Sequence, residues 1–142
     1  MAFFIKFKLV IMTINEKQKR YYDWLNQVKE EIIDPQLPII DPHHHLWSGD
    51  DQLAGSFPYL IKHLNEDTFS GHNIVGTIFM ECAAGYYLEG DEKYKPVGET
   101  EFVINLINES KNLEKTTNII GIIGYADLML GNEVKDVLDE HL

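Results

Sequence analysis

The chain reads as an α/β protein built on a parallel sheet. Three apolar runs, Ile39–Asp41, Ile74–Glu81 and Ile119–Ala126, recur with centres near Ile40, Ile78 and Ile122, about 40 residues apart. Helical periodicity fills the intervals, and strand–helix alternation implies parallel strands joined by right-handed crossovers. The second run, IVGTIFME, is almost continuously apolar, as in a parallel strand buried on both faces. A doubly wound sheet and a (β/α)8 barrel both satisfy this pattern.

The elements follow in order. Thr13 to Ile33 reads as an amphipathic helix. Thr13 and Glu16 have capping-box spacing, and Tyr21, Trp24, Leu25, Val28 and Ile32 form one stripe. Asp34-Pro35 stops it. Such a helix could plug the amino-terminal end of a barrel. After the first strand comes a Gly-, Asp- and Ser-rich loop, Ser48 to Ser56, and then a helix over Pro58 to Ser70 with Gly71 as its cap. His63 and His72 read as solvated or hydrogen-bonded helix-end residues, and Cys82 as a small buried filler. Ala83 to Gly98 is a long loop of the kind that serves function or acts as a lid. A helix over Glu99 to Leu113 leads to the third strand, and Glu133 to His141 forms the last helix, with His141 solvated at its end.

Composition bounds the partners. With 142 residues, 44% hydrophobic and 25% charged, the chain suits one domain with a sizeable core. A net charge of −11 argues against nucleic acid as a partner and favours solubility, and says little about the substrate. The single cysteine rules out an internal disulfide and suits the cytoplasm. No run approaches the roughly 18 apolar residues of a membrane span. The apolar run before Met12 is broken by Lys6 and Lys8, so it reads as a dispensable extension rather than a signal peptide.

The chemistry concentrates at Ile39 to Trp47, IIDPHHHLW. Side chains alternate along a strand, so Asp41, His43 and His45 would share one face and Pro42 and His44 the other. Two imidazoles on one face can converge on a single divalent metal. Three adjacent histidines can equally be a surface cluster. Strand ends are where a parallel α/β fold keeps its chemistry. Glu81, closing the second strand, and Asp127, beyond the third, are therefore the catalytic candidates, with an edge-of-strand acid in water as the plainer reading of Glu81. Trp47, Tyr86 and Tyr125 are the candidates for contact with substrate.

At these residues the chain resembles the amidohydrolase superfamily, whose first barrel strand ends in D-x-H-x-H, and more closely its amidohydrolase-related branch. VGETEFV (Val97 to Val103) and IIGYADLMLG (Ile122 to Gly131) are similar to that branch too. The resemblance implies that His43 and His45 bind a divalent ion, by expectation Zn2+, with Asp41 behind them. It implies a metal-dependent hydrolase that uses metal-activated water on a small-molecule lactone, ester or amide carbonyl. A decarboxylase of the same branch and a non-catalytic α/β fragment are the alternatives.

A barrel of this kind takes eight strands and about 250 residues. The expected architecture is therefore a partial (β/α)8 TIM barrel, its first three βα units. Residues 1–36 would form an extension and helix, and 37–142 the opening part of the barrel domain. Such a truncated chain would have no activity of its own and would form a homo-oligomer or associate through open sheet edges.

Overall fold

A computed structural model describes residues 14–49 and 58–142. The expectations for the run before Met12, for Thr13 as a cap and for most of the Ser48–Ser56 loop lie outside the described residues. The chain forms two compact units, residues 1–31 and 32–142. Within the first, helix α1 spans Ile14–Leu25. It ends well short of Ile33, because Asn26 turns back on it. Both the backbone and side-chain nitrogens of Asn26 donate to the Tyr22 carbonyl, at 3.0 and 2.8 Å. Asn competes for backbone groups in this way, and the β-branched Val28, Ile32 and Ile33 that follow add little helical preference. Val28 and Ile32 thus fall beyond the helix.

The second unit is α/β. Strands β1 (Pro38–His44), β2 (Asn73–Met80) and β3 (Ile119–Ile123) form an open parallel sheet in the order β1-β2-β3. Helices α2 (Ile61–Thr68), α3 (Val97–Ser110) and α4 (Val134–Glu140) complete it, with 3₁₀ turns at Glu92–Tyr94 and Leu128–Glu133. The strands fall where the apolar runs lie, and the helices are shorter than their sequence patterns. Helix α2 starts only at Ile61 because Tyr59 is held extended, in an antiparallel bridge to Trp47 with both N···O distances 2.9 Å. The long loop is not featureless. It carries the first 3₁₀ turn, capped by Asp91, and α3 begins two residues earlier than the sequence suggests.

The core lies between one face of the sheet and α2 and α3. Leu46, Ile61, Leu64, Phe79 and Val103 are buried there, with Phe102, Leu106, Ile119 and Ile122 packed around them. A β-bulge gives β3 one extra residue, Ile120, between Ile119 opposite Thr77 and Gly121 opposite Ile78. The bulge keeps both Ile119 and Ile122 on the core side and turns Ile120 over Gly76 on the other. On that second face Ile40, Ile120 and Ile123 stay about half exposed, at 51%, 51% and 48%. The strands are therefore not buried on both faces among the described residues, as the apolar runs suggest, and β1 is an edge strand. No described helix is long and apolar enough to cross a membrane.

Candidate functional site

The three strands end at one level. His44 pairs with Phe79 and Met80 with Ile123, and the Glu81 N–H donates to the Ile123 carbonyl at 2.9 Å. His43 and His45, Glu81, and Tyr125 thus stand at the carboxyl ends of successive strands, roughly 4.8 Å apart from strand to strand.

At the end of β1 the Nε2 atoms of His43 and His45 lie 3.2 Å apart, with the rings nearly perpendicular at a centroid distance of 4.9 Å. His45 Nδ1 donates to the Met80 carbonyl at 2.8 Å. That bond fixes the tautomer of neutral His45 and leaves its Nε2 lone pair facing His43. His44 turns the other way. It is buried, at 8% exposure, packs edge-on against Phe79, and gives its Nδ1 proton to the Ile78 carbonyl at 3.0 Å. Burial, the largest influence, lowers its pKa, and the Ile78 bond opposes this. Its Nε2 has no hydrogen-bond partner among the described residues. Such a sealed acceptor costs about 1–3 kcal/mol.

Asp41 departs from the alternation. A bulge between Asp41 and His44 puts Asp41 opposite Thr77 and His44 opposite Phe79. Paired residues share a face, so Asp41 goes with His44 toward the helices instead of standing with His43 and His45. Its Oδ1 accepts the His43 backbone N–H at 3.1 Å. Asp41 therefore shapes the bulge that presents His43, and the Met80 carbonyl is the group that orients a ring.

The other candidates divide. The Tyr86 hydroxyl has its pKa raised by burial first and by the nearby charges of Glu81 and Glu99 next; Tyr125 is also close enough to act on it. Glu81, Tyr86 and Tyr125 are thus brought together. Trp47 stacks on Tyr59 at 5.3 Å and lines a cleft of about 380 Å³ shared with the three histidines. Asp127 is turned aside: its Oδ1 caps the second 3₁₀ turn by accepting the Met129 N–H at 2.8 Å.

Two residues carry more than their sequence context suggests. His141 is only partly exposed and is held by two hydrogen bonds. It bridges Thr100 Oγ1, at 2.8 Å from Nδ1, and the Tyr125 carbonyl, at 3.0 Å from Nε2, so it pins α4 to the end of β3. Glu99 is 2% exposed. No signal in the sequence marks a buried glutamate in the first turn of a helix, since acids favour that position in water as well. Cys82 is half-buried with its Sγ 3.9 Å from the Leu46 carbonyl. Burial and then the Glu99 charge push its thiol up to about 12.

Two neighbours on a tetrahedral zinc with bonds of 2.0–2.1 Å stand about 3.3 Å apart, close to the 3.2 Å between the two Nε2 atoms. The carbonyl-anchored Nδ1 of His45 is the arrangement that metal-binding histidines use. The pair fits as two ligands. Among the described residues no group of three His, Cys, Asp or Glu completes a site. Comparison with protein-family models, with curated proteins and with solved structures finds no match for this chain.

Proposed function

We propose that the carboxyl end of this sheet is part of a divalent-metal site in a hydrolase acting on a lactone or another ester or amide, and that the three βα units are opening units of a (β/α)8 barrel. Strand order is compatible with the barrel: each strand lies beside its predecessor in the chain, as at the start of a barrel and equally in the 3-2-1 half of a doubly wound sheet. The observation that carries the site is the convergence of His43 and His45 Nε2 at 3.2 Å with His45 Nδ1 tied to Met80.

His43 and His45 would hold the ion, which when bound supplies Lewis acidity and lowers the pKa of water toward 7. The chain's own residues orient and hold protons. The Met80 carbonyl keeps the His45 proton on Nδ1, and Asp41 fixes the His43 backbone. The Ile78 carbonyl locks His44 into the sheet, away from the pair. Glu81, near Tyr86, is the carboxylate at the same end of the sheet. A catalytic zinc site takes about three protein ligands, and the described residues offer two, so the reading assigns no turnover to this chain by itself.

The same 3.2 Å also suits a hydrogen bond from His43 to the bare Nε2 of His45. That contact satisfies both rings without an ion and supports a non-catalytic α/β module as the second reading. Calorimetric titration with zinc separates them. The metal reading expects saturable binding of one ion, lost in His43→Ala and in His45→Ala and retained in His44→Ala. Absence of saturable binding by the parent chain, or its loss in His44→Ala with retention in His43→Ala, would overturn it.

A further inference from the structure

The first turn of α3 is built around the loop that leaves β2. Gly98 has no room for a side chain: a Cβ there would lie 2.7 Å from the Gly85 carbonyl oxygen and 2.7 Å from the Tyr87 nitrogen. One residue on, Glu99 reaches back into the loop. Its Oε1 accepts the N–H groups of Cys82 and of Ala84, both at 2.9 Å. Between those two donors sits Ala83, the one described non-glycine residue with positive φ, at 63°. The left-handed region is costly for an L-residue, and two hydrogen bonds to one carboxylate oxygen hold it there. Glu81 precedes this turn and Tyr86 follows it, and the Glu81 carboxylate lies near enough to the Tyr86 hydroxyl to act on it.

We propose that Glu99 is a positioning residue: its buried carboxylate holds the 82–84 turn and thereby sets where Glu81 and Tyr86 stand at the carboxyl end of the sheet. The inference rests on the functional reading only in calling that end the site. The mechanism is geometric. The Glu99 oxygen must reach two amides at once, and the turn must keep Ala83 left-handed. A side chain of the same length without charge can do this; a shorter one with the charge cannot.

The test compares Glu99→Gln, Glu99→Asp and Glu99→Ala in the full chain by NMR, with no metal or substrate added. The readouts are hydrogen exchange at the Cys82 and Ala84 amides and the proximity of the Tyr86 ring to the Glu81 side chain by nuclear Overhauser effect. Ring signals are assigned with Tyr86→Phe. The expectation is near-parent behaviour in Glu99→Gln. In Glu99→Asp and Glu99→Ala the two amides should exchange roughly tenfold faster or more, with loss of the Glu81–Tyr86 contact. Adding Ala83→Gly to Glu99→Asp should restore part of that contact, because glycine takes the left-handed turn unaided. A fold-supporting role alone would lower thermal stability and leave the contact intact, which overturns the proposal. So would a parent-like Glu99→Asp beside a disrupted Glu99→Gln, which would make the charge the agent. Zinc titration plays no part in these readouts, so the two readings fail separately.

Discussion

The two faces of the sheet are built from the same kinds of residue and treated differently. On the helix side Phe79, Leu46 and Val103 are fully buried, at 0% exposure. On the other side Ile40 and Ile120 flank Gly76 and stand half in water. Composition does not separate them, since both are rich in isoleucine and both lie along the same strands. The difference lies in what covers them. Stability within this unit is therefore drawn from one face, and the second face holds apolar surface that folding of the described residues leaves uncommitted.

Substitution on the two faces gives the largest expected contrast. Phe79→Ala removes a fully buried ring from the core cluster that also holds Ile61 and Leu64 of α2 and Val103 of α3, and such deletions cost about 3–5 kcal/mol. Ile120→Ala trims a side chain that is 51% exposed, for which about 0.5 kcal/mol is the usual scale. Urea unfolding of both variants checks this. Equal losses would mean that the second face is covered in solution.

Gly98→Ala comes next. It adds only a methyl, to a helix position where alanine is otherwise preferred. The methyl would meet the backbone of Gly85 and Tyr87 at 2.7 Å, and backbone cannot swing aside as a side chain can. A loss of about 1–3 kcal/mol is expected, the range of overpacking. A variant as stable as the parent would show that the loop yields easily, and that the helix side is less tightly set than Phe79 suggests.

The sequence reading captured the strands better than the faces. Apolar runs located β1, β2 and β3 within a few residues, because burial in a parallel sheet leaves a strong signature. Periodicity separated His44 from His43 and His45. It misplaced Asp41, because a bulge shifts the register by one residue and turns a side chain to the opposite face, and no local preference announced it. The partners of His44 and His45 were illegible for a related reason. They are the carbonyls of Ile78 and Met80, which depend on register rather than on residue type. His141 read as a solvated helix-end residue and Glu99 only as the start of a helix, and tertiary packing alone gives them work.

The bare face makes a smaller prediction for stability and a clear one for association. A face with Ile40, Ile120 and Ile123 half exposed, beside strand edges that the described residues leave open at β1 and β3, favours contact between molecules. The chain is expected to self-associate, and Ile120→Lys with Ile123→Lys should shift it toward monomer while changing unfolding free energy by only about 0.5 kcal/mol. Sedimentation velocity across a concentration series measures this. A monomeric parent at high concentration would remove the apolar face as a driver of association.

The finest comparison uses two thiols. Cys82 lies on the packed side of the loop, against the Leu46 carbonyl and the Glu99 carboxylate, and its pKa rises from 9.0 to about 12. At pH 8 its thiolate fraction is then roughly a thousandfold below that of an unperturbed thiol, and alkylation, which needs the thiolate, slows accordingly. A cysteine placed on the bare face by Ile120→Cys, in a Cys82→Ala background, has no such neighbours and should react with iodoacetamide far faster. The same shift sets a sign for stability. Between about pH 9 and 12 the unfolded chain has released the Cys82 proton and the folded chain has kept it. The folded state binds more protons there, so stability falls as pH rises through that window and is unaffected by this group below it. Cys82→Ala should flatten that part of the alkaline decline, with Tyr86, also raised, contributing the remainder at higher pH. Urea midpoints of the parent and Cys82→Ala, compared at pH 8 and pH 10.5, carry the test. Identical declines, together with equal alkylation rates for the two thiols, would show that the packed side is as open to water as the bare one.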